Sequence, residues 1–394
     1  MFEKFRNWLA NNRQFLFSRY TKDSQETQEP ERTLIQLPPK IRQQLVERIE
    51  NLPINPHDRQ AIAEKLDEVF DLWRDNSDSN NSLVILSSPV TGVSRILTET
   101  LEDWAEQKQI TIRLLPLKAR PEIADTIESK LKHYIEEEFV EEAAGDRKGD
   151  ESRNRELEIV VLPNLSWCFL RSIEGLTGIE YLQSRLYDGF PNRFWIVGAG
   201  QVGWEYLNLV AKLEAYCGEV FTLPELTAEQ LRSWFEPIID ELNITFDDPE
   251  IDRQILQSDK DNQTHYFESL SDVSNGVSTV AIQAFLKSIR YEEANPEVGV
   301  DKAVIAKVPQ LPNLPDLESG DLYILYSLLL HGDLTISALA ESLGDDRAEV
   351  QARVQVLRHQ GIIEQRKKVI KINPIHYPNV KRELANNNFV IDKD

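Results

Sequence analysis

With 394 residues, 41% of them hydrophobic and 28% charged, the chain is long enough for two or three domains and a sizeable core. A net charge of −22 argues against broad electrostatic binding to nucleic acid, which needs clustered Lys and Arg. Two separated cysteines, Cys168 and Cys217, fit a reducing cytosol and exclude a cysteine-rich zinc site, and no apolar run of about 18 residues is present to span a membrane.

The first stretch, Met1–Lys22, is basic in an acidic protein. At helical spacing Phe2, Phe5, Trp8, Leu9, Phe15 and Leu16 gather on one side, with Arg6, Arg13 and Arg19 along its borders. Aromatic rings with flanking arginines suit a helix lying in a membrane surface, the rings in the acyl boundary and the cations on anionic headgroups. The alternative is a helix docked on the protein itself or on a partner. Asp23–Arg32 reads as a flexible linker extending to residue 38. Two helices, Pro39–Asn51 and Pro56–Asp75, form a lead-in packed on the core, closed by the polar run Asp75–Ser82.

From Leu83 to residue 225, short β-rich runs alternate with helical patterns, which predicts an α/β domain whose parallel sheet carries helices on both faces. The helices are expected over Ser94–Lys108, Glu122–Phe139, Ser172–Tyr187 and Val202–Tyr216, and Val140–Arg155 reads as a charged loop insertion. The stretch Leu83–Leu97, LVILSSPVTGVSRIL, has the strand, loop and helix layout of a phosphate-binding loop. A functional loop reads G-x-x-x-x-G-K-[ST]: glycines let backbone N–H groups cradle phosphate, lysine neutralises charge and the hydroxyl holds Mg²⁺. Here Ser87 replaces the first glycine, Gly92 keeps the second, Val93 replaces the lysine and Ser94 keeps the hydroxyl. Gly92 is expected to permit the turn and Ser94 to cap the helix. Backbone N–H groups over Ser88–Gly92 remain a means of holding a phosphate weakly. The strand EIVVL ends in Pro163 and Asn164, where an ATPase carries an acid that orders Mg²⁺ and water.

The runs LPNLSWCFLRSIEGLTGIEYL, NRFWIVGAGQVGWEYL, LTAEQLRSWF and SLSDVSNGVSTVAIQAFLKSI resemble a bacterial branch of AAA+/STAND ATPases related to the origin-recognition type. The resemblance runs from Leu83 to the C-terminus. It implies a P-loop, a Walker B acid, a sensor strand, a helical lid with an S-x-G-x-x-x-x-A run, matched by Ser274, Gly276 and Ala281, and a winged helix. Both nucleotide motifs depart from it, so Ser87, Ser88, Gly92, Val93, Ser94 and Asn164 stand as a vestigial nucleotide site. ATP or ADP is expected to bind weakly at best, with no catalytic residue, metal or other cofactor.

Gly198-Ala199-Gly200-Gln201-Val202-Gly203 is a literal G-x-G-x-x-G, with Glu225 twenty-two positions beyond Gly203, as a dinucleotide site requires. It sits on the fourth strand, and a tight strand–helix turn is the reading preferred over NAD or FAD binding. The six histidines stand singly and read as surface or capping residues.

Residues 226–295 read as a helical lid, with Thr227 and Gln230 forming a capping box and further helices over Asp247–Ser258 and Val277–Arg290. Residues 296–316 are a proline-marked linker in which AVIAKV makes a short strand. From 317 to 394 three helices and a hairpin read as a winged helix. Its third helix offers Arg347, Arg353 and Arg358, and its wing Arg366, Lys367 and Lys368, to a partner or to DNA. Asp345, Asp346, Glu349 and Glu364 intervene, which favours a protein partner over duplex DNA. The whole reads as a non-catalytic, ATPase-like scaffold, adaptor or assembly factor, cytoplasmic and peripheral on a membrane. A DNA-binding regulator and a weak nucleotide-binding switch or dinucleotide-binding protein are the alternatives.

Overall fold

The structure, a computed structural model, describes residues 34–75, 81–136, 158–187, 192–247, 259–292 and 303–391. The helix expected over Met1–Lys22 with its membrane-contact residues, the linker Asp23–Arg32, the insertion Val140–Arg155 and all but Asp247 of the helix expected over Asp247–Ser258 lie outside them.

The first strand, β1 (Leu34–Ile35), belongs to a second sheet considered below. The central sheet is built from β2 (Ser82–Ser87), β3 (Ile112–Leu114), β4 (Glu158–Leu162), β5 (Arg193–Gly200) and β6 (Glu219–Thr222), all parallel, in the order β3-β4-β5-β2-β6. All six residues of β2 are buried, as expected of a parallel strand covered on both faces. Leu83 and Ile85 face α2 (Pro56–Asp75) and α3 (Val93–Lys108), while Val84 and Leu86 face the opposite side. On the first face Phe70 packs its ring 5.7 Å from Trp73, 5.4 Å from Trp104 and 5.8 Å from Phe194, which fixes α2 on the sheet. On the second lie α4 (Ile127–Glu136), α5 (Thr177–Tyr187) and α6 (Gln201–Ala211). The α/β class is as the alternating pattern predicts. Two helices start later than expected. A 3₁₀ turn, Ala124–Thr126, precedes α4, and residues before α5 form a close loop in which the Leu170 N–H donates to the Gly175 carbonyl at 2.9 Å.

The next unit is not all-helical, which corrects the expected lid. The helix α1 (Pro39–Glu50), then α7 (Ala228–Leu242), α8 (Asp259–Ser274) and α9 (Ser278–Ser288) pack against a mixed sheet. That sheet joins β1 to β7 (Ile244–Asp247), β8 (Ile289–Glu292) and β9 (Ala303–Lys307) in the order β1-β8-β9-β7. Its strands are two to five residues long, too short for a period of two to show beside the helical pattern, and β7 and β8 follow directly on helix ends. The run AVIAKV forms β9, so it is part of this unit and not of a linker. The helix α1 buries Leu45 and Ile49 in this core and not on the parallel sheet. The capping box on α7 forms as expected, and Gly276, at φ +62°, turns the chain between α8 and α9; a Cβ there would lie 2.5 Å from the Leu226 nitrogen.

The last unit runs α10 (Ser319–His331), β10 (Leu334–Thr335), α11 (Ile336–Leu343), α12 (Arg347–His359), β11 (Ile363–Arg366), β12 (Val369–Ile372) and α13 (Tyr377–Asn386). The three helices and the hairpin stand where the sequence places them, and β10 completes a small antiparallel sheet. The helix α10 is buried from Leu322 to His331 save Tyr323, and its side chains belong to the same apolar cluster as α5, α6 and the second face of β2, β4 and β5. The central and C-terminal units therefore share one core.

Candidate functional site

The loop between β2 and α3, where the sequence has the layout of a phosphate-binding loop, is hydrogen-bonded to itself. The Thr91 N–H donates to the Ser88 carbonyl at 2.9 Å and the Val93 N–H to the Thr91 carbonyl at 2.9 Å, while Pro89 has no N–H to offer. Two backbone donors of this loop are thus spent on the loop itself. Pro89 is buried, and its Cα lies 3.6 Å from where a Cβ on Gly200 would stand. Val93, in the lysine position, is buried at 4% exposure. Ser87 is buried with its hydroxyl on the Ser88 carbonyl at 3.3 Å, and the Ser88 hydroxyl has no partner among the described residues. The expected cap is corrected: the residue at the N-cap of α3 is Gly92, with no side-chain cap bond, and Ser94 lies inside the first turn. Gly92 has φ −76°, and a Cβ at this position would meet open space, so no glycine is required. Gly92→Ala is expected to change stability by less than about 0.5 kcal/mol, read from urea midpoints.

At the end of β4 the Asn164 side chain accepts from the Ser166 N–H at 3.0 Å and caps a 3₁₀ turn, Leu165–Cys168. It therefore faces its own chain. The G-x-G-x-x-G run is a packing device: a Cβ on Gly198 would lie 2.5 Å from the Pro163 carbonyl oxygen, and one on Gly203 2.4 Å from the Leu330 carbonyl oxygen of α10. The N-terminus of α6 is covered by the C-terminal unit, where a dinucleotide would need its pyrophosphate.

The polar junction of the two units was not legible in the sequence. Arg120 donates to the carbonyls of Ser166 (2.6 and 3.1 Å), Phe169 (2.9 Å), His331 (3.3 Å) and Asp333 (2.9 Å). Burial pulls its guanidinium down to about 10, with Asp333 opposing, so it stays charged at neutral pH. Arg171 donates through its backbone N–H to His331 Nε2 at 3.3 Å and through Nη2 to the Ser342 carbonyl at 2.9 Å. His331 is 1% exposed, its ring 4.6 Å from that of Phe169, which corrects its reading as a surface or capping residue; His376 is buried as well.

Burial, with Arg120 and Arg171 nearby, holds His331 well below the usual histidine range. Its neutral form therefore costs nothing above about pH 6.5. Below that the unfolded chain takes up a proton that the native state refuses, and stability falls with pH. His376, lowered to about 4 by burial, acts in the same sense, and Asp58, raised to about 6 by burial, opposes it. Between about pH 7.5 and about pH 5.5 the wild type is expected to lose about 1.4 kcal/mol more than His331→Gln, from paired urea titrations.

The basic face of the C-terminal unit is thinner than expected. Arg353 lies 3.1 Å from Glu318, 3.8 Å from Asp321 and 3.9 Å from Glu349, so it braces α12 against the start of α10 and is removed from the contact set. Arg358 donates to Gln365 at 2.9 Å, Arg366 lies 3.9 Å from Glu364 and Lys368 3.8 Å from Glu122. Arg347 and Lys367 are exposed with no side-chain partner among the described residues. Acids on neighbouring elements thus cancel much of the local positive charge. Among the described residues no group of three or more His, Cys, Asp and Glu is placed to hold a metal ion.

No family model and no curated protein matches the chain. Among solved structures it is similar to Cdc6p from Pyrobaculum aerophilum, at 15% identity over 84% of this chain and 96% of that one, with a TM-score of 0.34. It is similar also to the Aeropyrum pernix ORC2 protein in its ADP form (14%, 85% and 96%, TM-score 0.37) and to a RuvB variant of Thermotoga maritima (14%, 81% and 93%, TM-score 0.32). Likeness at this level concerns chain path, and what this chain binds has to be read from its own residues.

Proposed function

We propose that the protein is a catalytically silent relative of the AAA+/STAND ATPases, with a C-terminal winged helix, that works as a scaffold, adaptor or assembly factor through protein contacts. The observation that carries this reading is the closed loop after β2. Pro89 and the internal bonds of Thr91 and Val93 occupy the place of a phosphate cradle, a buried valine stands for the lysine, and Asn164 caps its own turn. A phosphoryl-transfer site works by positioning and by charge, and both are missing here. Calorimetric titration of the full chain with ATP and Mg²⁺ is the test. The expected result is no binding in the micromolar range; micromolar binding, or hydrolysis that Ser94→Ala abolishes, overturns the reading.

The winged helix is assigned to protein contact, because Arg353 is held by three carboxylates and two of the hairpin cations, Arg366 and Lys368, stand beside Glu364 and Glu122. A salt-dependent shift of duplex DNA that Arg366→Glu removes would restore the DNA-binding reading. The basic, aromatic composition of residues 1–22 supports attachment to an anionic membrane surface. Flotation with anionic vesicles is expected to carry the full chain and leave a chain lacking those residues behind; equal soluble fractions refute this part.

A further inference from the structure

Beside the first two turns of α3, against the loop that follows β3, lies a cavity of about 390 Å³. That volume falls in the range of roughly 300–1,000 Å³ over which small-molecule sites occur. It opens outside the carboxyl ends of β3 and β4, the position at which open parallel sheets admit ligands. Its walls are mainly apolar, contributed by Leu114, Leu115, Pro116, Leu117, Pro163 and Trp167. Pro163 matters most to this character, since it stands at the end of β4 where an acid would have made the wall polar.

Three charged side chains reach the lining. Arg95 donates to Glu99 at 2.9 Å, so these two cancel. Lys118 is exposed and has no hydrogen bond or ion pair among the described residues. The N-terminal turn of α3 adds partial positive charge through Ser94, which also lines the cavity. In a chain of net charge −22 this is a locally positive, apolar hollow.

Its chemistry discriminates among ligands. A polyphosphate needs converging N–H groups and several cations, but the Thr91 and Val93 donors are spent and one uncompensated cation remains. A divalent cation needs carboxylates, and the single acid of the lining is already paired. A neutral apolar molecule leaves Lys118 without a role. We propose that the cavity binds a small amphipathic monocarboxylate, its apolar body against Trp167 and Leu114 and its carboxylate on Lys118. The proposal rests on the reading that the adjoining loop no longer holds a nucleotide.

The test is calorimetric titration of the full chain with naphthaleneacetate and, separately, with the neutral naphthaleneacetamide. The acid is expected to bind one equivalent with a Kd of about 1 mM or tighter, the level that ordinary ligand efficiency sets for its size. The amide should bind at least about fivefold more weakly, a charge-assisted contact having been lost. Lys118→Gln should erase the preference for the acid, and Leu114→Asp, at a residue 40% exposed, should abolish binding of both without moving the thermal midpoint. Leu209→Asp, at an exposed residue of α6, is the control and should change nothing. Absence of acid binding, equal affinity for acid and amide, or an unchanged preference in Lys118→Gln overturns the proposal. Micromolar binding of Mg²⁺ and ATP in the parallel titration overturns instead the reading of the loop on which it rests.

Discussion

Replacing Arg120 with alanine is expected to cost about 3–5 kcal/mol, among the largest losses available to a single substitution in this chain. The guanidinium makes five hydrogen bonds to four backbone carbonyls, and no side-chain acceptor competes for it. Two of those carbonyls, of Ser166 and Phe169, belong to the chain after β4, and two, of His331 and Asp333, to the end of α10. Each carbonyl left buried without a donor carries a penalty of about 1–3 kcal/mol, part of which water entering the vacated space would recover. Arg120→Lys should recover little, because an ammonium cannot present the planar fork that serves both sides at once. Urea unfolding would measure the loss, and limited proteolysis between residues 308 and 318 would show whether the C-terminal unit has come away. A loss below about 1 kcal/mol, with that segment still protected, would show that the apolar contact alone holds the units together.

Gly203→Val is expected to cost about 3 kcal/mol and Gly203→Ala somewhat less. The clash is with a backbone oxygen: a Cβ would stand 2.4 Å from the Leu330 carbonyl, and neither α6 nor α10 can relieve it by turning a side chain. Gly200 provides the contrast, since a Cβ there meets only Pro89 Cα at an ordinary 3.6 Å, so Gly200→Ala should be nearly neutral. In a dinucleotide fingerprint the second glycine lets the backbone approach a pyrophosphate and its loss is felt in binding. Thermal midpoints of the three variants distinguish the two accounts. A tolerant Gly203 with NAD or FAD binding that Gly200→Ala weakens would reinstate the dinucleotide site.

Both predictions concern the meeting of the central and C-terminal units, which local sequence hardly announces. Arg120 sits in LKARPE with no periodic neighbour to mark it as buried, and its partners lie 46 to 213 residues away in the chain. A signal for His331 did exist: it ends LYILYSLLLH, a helix apolar on nearly every side, and such a helix is buried all round. Reading that run only as the first helix of the C-terminal unit missed the core it enters. The cations of α12 failed for a related reason. Arg353 looks available in one dimension, but α12 crosses the start of α10 and brings Glu318 and Asp321 to it.

Local signals sufficed where the deciding interaction is local. LVILS and EIVVL are strands because continuous β-branched and aliphatic burial suits an interior parallel strand. Thr227 and Gln230 close a capping box within one turn of helix, and Gly332, Gly344 and Gly361 end three helices at positive φ. Val93, where a phosphate-binding loop carries lysine, and Pro163 at the end of β4 are equally plain in one dimension. Composition, period and end signals thus determined the α/β class and the three C-terminal helices with their hairpin. Tertiary structure alone decided the rest: the mixed sheet built from strands scattered between residues 34 and 307, the core shared by two units, and the cavity beside α3. Those features depend on contacts between residues far apart in the chain, whose closure no local propensity encodes.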